Sequence, residues 1–170
     1  MQTFKMLQSD YNAFKSIYPN VKIFRLPAFK VLLFFRIGVG ARKKHIPILP
    51  SLCSAMLRII YGIEVSYKAH IGIGVNFVHP VGITIGDAVI GDRCSFYGNN
   101  TLGSRYENDL PKLGKNIEVG AGARILGSIK IGDNSKIGAN AVVLKDVPTN
   151  SIAVGVPARI QSQNKQKQIK

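Results

Sequence analysis

Acidic residues are scarce in this chain: nine Asp and Glu stand against 23 Lys and Arg, for a formal net charge of +14. The imbalance is uneven. Residues 1–64 hold ten cations against Asp10 and Glu64, residues 65–160 hold ten against seven acids, and the last ten residues add Lys165, Lys167 and Lys170. Such ends admit an anionic membrane surface, a polyanionic ligand such as a nucleotide cofactor, or a merely solubilising excess. No nucleic-acid motif and no aromatic-interleaved basic run is present, which argues against nucleic acid. Cysteine is also rare. Cys53 and Cys94 form no CxxC pair and no disulfide framework, and both read as small buried hydrophobes. Three histidines are too few and too scattered for a zinc site: His70 and His79 are nine apart and His45 lies far upstream, so no metal is expected. Long hydrophobic runs are missing as well. The opening "MQTFKMLQSDYNAFK" has no signal-peptide core, and "LPAFKVLLFFRIGVGA" is interrupted by Lys30 and Arg36, so a cytoplasmic protein is expected.

What is present is a period of six. From residue 113 the chain divides into "LGKNIE", "VGAGAR", "ILGSIK", "IGDNSK", "IGANAV" and "VLKDVP". First places are aliphatic (Leu113, Val119, Ile125, Ile131, Ile137, Val143) and fifth places small or apolar (Ile117, Ala123, Ile129, Ser135, Ala141, Val147). The phase recurs upstream from Val65, with one residue too many near Ile83. This spacing suits neither a helix nor hairpin strands. It suits a solenoid in which each six makes a short strand and a corner, and three sixes complete one coil. Gly, Asn and Asp crowd the corner places, where positive φ is tolerated. The expectation is a mainly β fold, a parallel β-helix over residues 63–160. Residues 1–62 form a short α-helical N-terminal cap, with helices starting near Pro27 and Pro50, and residues 161–170 a basic tail. The cap closes the open end of the coils. A second reading of the same helices, through Phe/Leu side chains with Arg42, Lys43 and Lys44, is peripheral contact with the cytoplasmic membrane.

Two departures from the period mark the candidate site. One is the extra residue after His79, whose third-place position directs it outward near a corner. The other is "GSRYENDLPK", residues 103–112, which reads as a projecting loop.

The runs "GIEVSYKAHIGIGVNFVHPVGITIGDAVIGDRCSFYGNNTLGS" and "GAGARILGSIKIGDNSKIGANAVVLKDVPTNSIAVGVPARI" resemble the hexapeptide-repeat acyltransferases of the serine O-acetyltransferase-like family. That resemblance implies a left-handed β-helix, acetyl-CoA as co-substrate and a homotrimer with active sites between prisms. It places His79 as general base and Glu64 as the carboxylate that orients it. The pantetheine arm would run near Gly103, Ala121 and Ala139, with Lys136 and Arg159 toward the phosphates. A backbone N–H near Gly103 or Ser104 would meet the oxyanion. Three features differ from serine acetyltransferases: Val78 where they have an acid, Leu110 where they have a second histidine, and a short N-terminal region. On those grounds the chain is more similar to the exopolysaccharide (colanic acid, capsule) branch. The expected function is therefore acetyl-CoA-dependent O-acetylation of a sugar hydroxyl in a surface polysaccharide or its precursor, by direct transfer. Serine O-acetylation for cysteine synthesis is the alternative, and a non-catalytic scaffold a further one.

Overall fold

The aliphatic first places all turn inward, and that packing defines the fold. Leu113, Val119, Ile125, Ile131, Ile137 and Val143 are each at most 3% exposed. The fifth places behave alike. Ser135, the one polar member, keeps its hydroxyl satisfied by the Pro148 carbonyl at 2.7 Å.

The computed structural model describes residues 2–106 and 109–162. Fifteen short strands, numbered along the chain, build a three-faced parallel β-helix. The first face stacks β1 (Glu64–Val65), β4 (Thr84–Ile85), β7 (Thr101–Gly103), β10 (Arg124–Leu126) and β13 (Val142–Val143). The second stacks β2 (His70–Ile71), β5 (Val89–Ile90), β8 (Lys112–Leu113) and β11 (Lys130–Ile131). The third holds β3 (Asn76–Phe77), β6 (Ser95–Phe96), β9 (Glu118–Val119), β12 (Lys136–Ile137) and β14 (Ser151–Val154). An antiparallel β15 (Arg159–Ser162) edges the third face, so the chain remains ordered two residues past the expected end of the coils. The rest of the basic tail, 163–170, lies outside the described residues.

The corners differ in one respect from expectation. Positive φ occurs at Asn116, Asn134 and Asn150, which also form a side-chain ladder: Asn116 Nδ2 donates to Asn134 Oδ1 at 3.0 Å, and Asn134 Nδ2 to Asn150 Oδ1 at 3.3 Å. The second-place glycines have no positive φ. They are small because the next coil lies against them: a Cβ at Gly72 would meet the Gly91 carbonyl carbon at 2.5 Å, and one at Gly120 the Ala139 nitrogen at 2.6 Å.

The cap comprises α1 (Gln2–Ile17), a 3₁₀ turn, α2 (Pro27–Lys43) and α3 (Leu49–Tyr61). Pro27 and Pro50 sit in the first turns of α2 and α3, where a missing N–H costs nothing. The cap is fastened to the first coil by Arg36. Its guanidinium is 4% exposed, pairs with the fully buried Asp10 at 3.0 Å, and donates to the carbonyls of Ile71 and Gly72 at 2.6 and 2.7 Å. Asp10 also accepts the Gly74 N–H at 3.0 Å.

Candidate active site

His79 stands at the corner between the third and first faces, just after β3, and its side chain is exposed. The corner is enlarged. Glu64 pairs with Thr84, twenty residues on, whereas Glu118 pairs with Lys136, eighteen on. The irregularity is larger than the single extra residue expected. Two residues are added before Ile85, which is turned inward at 1% exposed, and one is removed before Ile90. The added length leaves the fifth-place Val81 69% exposed, while Ile83 fills the core. Beneath this corner lies Gly98, at φ 101°, so close that an added Cβ would sit 2.7 Å from the His79 carbonyl oxygen.

Glu64 begins β1 and is exposed beside the same corner, its N–H donating to the Ile83 carbonyl at 2.9 Å. Among the described residues no hydrogen bond or ion pair joins its carboxylate to the His79 imidazole. Ala121 and Ala139 are exposed on the same edge of the prism, linked by the Asn140 N–H donating to the Ala121 carbonyl at 2.8 Å. They stand two and three coils beyond His79, about 10 and about 14 Å along the axis at the usual strand spacing.

The remaining candidates lie elsewhere. Gly103 ends β7 and Ser104 follows it, so both belong to the edge between the first and second faces, where loop 103–112 departs. Glu107 and Asn108 of that loop are outside the described residues. Lys136 lies on the third face and is held by Glu118 at 3.0 Å, both side chains being about half exposed. Arg159 lines a 570 Å³ cavity with Arg105, Lys145, Val143, Ala153 and Pro157. Arg105 and Lys145 had no distinguishing signal in the sequence; the coil register alone brings them to Arg159. Within one chain the candidates therefore fall into two separated groups, two candidate half-sites: His79 with Glu64, Ala121 and Ala139 on one edge, and the loop with three cations on another.

Both cysteines are buried, Cys53 at 4% and Cys94 at 0% exposed. Burial pushes the Cys94 thiol up to about 11, and its Sγ donates to the Gly114 carbonyl at 3.2 Å. Burial raises Cys53 as well.

The bacterial transferase hexapeptide (six repeats) family matches residues 111–145. A serine acetyltransferase of Helicobacter pylori (strain 26695) is 41% identical over 137 residues, covering 78% of this chain and 80% of that protein. One of Synechococcus elongatus is 38% identical over 138 residues, and there the match spans 79% of this chain and 57% of the relative. A crystal structure of the Brucella abortus serine acetyltransferase in complex with coenzyme A superposes with a TM-score of 0.82 at 30% identity, over 93% of this chain and 67% of that one. These relatives overturn the expectation of a polysaccharide O-acetyltransferase with a carbohydrate acceptor. That expectation rested on Val78, Leu110 and the short N-terminal region, and the structural match extends through the helical cap. The chain belongs to the serine acetyltransferase family of hexapeptide-repeat acyltransferases.

Proposed function

We propose that the chain is a serine O-acetyltransferase, moving the acetyl group of acetyl-CoA to the hydroxyl of L-serine. One observation carries the reading: the likeness to the coenzyme A-bound Brucella abortus enzyme covers 93% of this chain, and so takes in the cap as well as the coils.

In this reading His79 removes the serine hydroxyl proton as the oxygen attacks the thioester carbonyl. The tetrahedral oxyanion then collapses, the carbon–sulfur bond breaks, and the imidazolium returns its proton to the coenzyme A sulfur. Glu64, a carboxylate beside the same corner, steadies that imidazolium. The buried, protonated state of Cys94 and Cys53 supports direct transfer over an acyl-enzyme.

The donor needs both half-sites. Ala121 and Ala139 give a small-residue track along the His79 edge, and Arg105, Lys145 and Arg159 supply cations suited to phosphates. The two edges are separated by a whole face in one prism, so they form one cleft only if the His79 edge of one copy meets the loop edge of the next. Three copies around an axis satisfy that requirement symmetrically. A homotrimer is therefore part of the reading.

The test is thiol release from acetyl-CoA by the purified chain, with and without L-serine, for the wild type and His79→Ala. Serine-stimulated release should fall by about a hundredfold to ten-thousandfold in the variant. Coenzyme A binding without any response to serine would sink the reading.

A further inference from the structure

The turn joining α2 to α3 presents aliphatic side chains to solvent among cations. Ile48 is 79% exposed, Phe4 72%, Leu52 55% and Ile46 42%. They form one patch. Ile46 lines a groove with Phe4 and Lys44, and also the adjoining cleft with Arg42, Ile48 and Arg58. Leu52 lies one turn beyond Ile48, its N–H donating to the Ile48 carbonyl at 2.9 Å. Arg42, Lys44 and Arg58 line the same two clefts.

Among the described residues no acid forms an ion pair with these cations. Residues 1–62 contain one, Asp10, and it is fully buried against Arg36. Ile48 is costly twice over: its side chain is in water, and its backbone sits at φ 68°, a region that β-branched residues avoid. Glycine there would relieve both costs, so stability does not explain isoleucine.

We propose that this face docks on an anionic lipid surface, with Ile48, Leu52 and Phe4 entering the headgroup boundary and the three cations meeting lipid phosphates. Charge complementarity selects this occupant. A second copy applied to the same face would set Arg42, Lys44 and Arg58 against their own counterparts. Among the described residues no helix is long and apolar enough to cross a membrane, so the contact is peripheral. The inference is independent of the serine reading, because none of these residues belongs to either half-site.

The experiment is co-sedimentation of the full chain with vesicles of equal parts phosphatidylcholine and phosphatidylglycerol, and with phosphatidylcholine alone. Binding is expected to the first and not the second. The triple change Arg42→Gln, Lys44→Gln, Arg58→Gln should weaken it about a hundredfold, at about fivefold per cation. Ile48→Gly should weaken it about tenfold while raising the melting temperature, with acetyl transfer unchanged in both variants. Three outcomes overturn the proposal: no binding to either vesicle, equal binding to both, or binding that both variants retain. If vesicles are ignored and Ile48→Gly abolishes concentration-dependent association in the ultracentrifuge, the face belongs to a second copy. If polyglutamate binds and vesicles do not, it belongs to an acidic protein.

Discussion

Gly98 supports His79 from the coil beneath. A methyl group on Gly98 would come within 2.7 Å of the His79 carbonyl oxygen and 3.2 Å of its Cβ, and the Gly98 backbone holds φ 101°. The enlarged corner and its imidazole thus rest on a residue with no side chain, and Gly98 in turn is held by its N–H donating to Asn100 Oδ1 at 3.1 Å.

Gly98→Ala should therefore disturb the corner from below. Strain at this φ is expected to cost about 1–3 kcal/mol, read as a lowered denaturation midpoint. Displacement of His79 should also reduce kcat by at least about tenfold under conditions where the variant is folded. Full kcat in a destabilised variant would show that the corner adjusts independently of the imidazole.

Two ion pairs, one buried and one half-exposed, should behave differently. Asp10→Ala leaves the Arg36 guanidinium buried without its partner and should cost about 3–5 kcal/mol, loosening the cap from the first coil. Glu118→Ala breaks the half-exposed pair with Lys136 and should cost at most about 1 kcal/mol. Chemical denaturation of both variants decides the comparison; equal losses would contradict it.

Arg159, Arg105 and Lys145 share a cavity, and the proposed role there is uniform binding of the donor's phosphates. Arg159→Ala is expected to raise the KM for acetyl-CoA about tenfold with little change in kcat. The Lys136→Ala effect should be smaller, because that ammonium is already engaged by Glu118. A fall in kcat with KM unchanged would place Arg159 nearer the chemistry than the cavity does.

Stability should fall in mild alkali through Cys94. Its folded pKa is raised from 9.0 to about 11 by burial, so the folded state holds the proton more tightly than the unfolded chain. That contribution is fully present below pH 9.0 and is lost as pH rises toward about 11. It amounts to about 3 kcal/mol, and Cys94→Ala should lack this part of the slope in denaturation curves measured across the interval. Identical slopes in both proteins would remove the assignment.

Much of the solenoid was legible because its determinant is local and repeated. An aliphatic residue every sixth position has only one inward place to occupy in a three-strand coil, so Leu113 through Val143 pointed to their burial directly. Ile48 was not legible: nothing in "HIPILPSL" distinguishes an exposed isoleucine at positive φ from a buried one. The corner at His79 was legible as an interruption but not in its form, since shifting Ile85 inward and Val81 outward depends on which residues the neighbouring coils leave room for.

The acceptor was misread for a related reason. Val78 and Leu110 are two side chains, whereas membership is carried by the whole prism and cap together, and the match over 93% of the chain outweighs them. The coils, the outward imidazole and the basic cap could be read from chain order alone, because periodicity and charge count are properties of that order. It took the folded coils to put His79 and the start of loop 103–112 on different edges, to gather Arg105, Lys145 and Arg159 around one cavity, and to bury the cap's single acid. Those relationships join residues far apart in the chain, and they depend on the register with which each coil lies on the next.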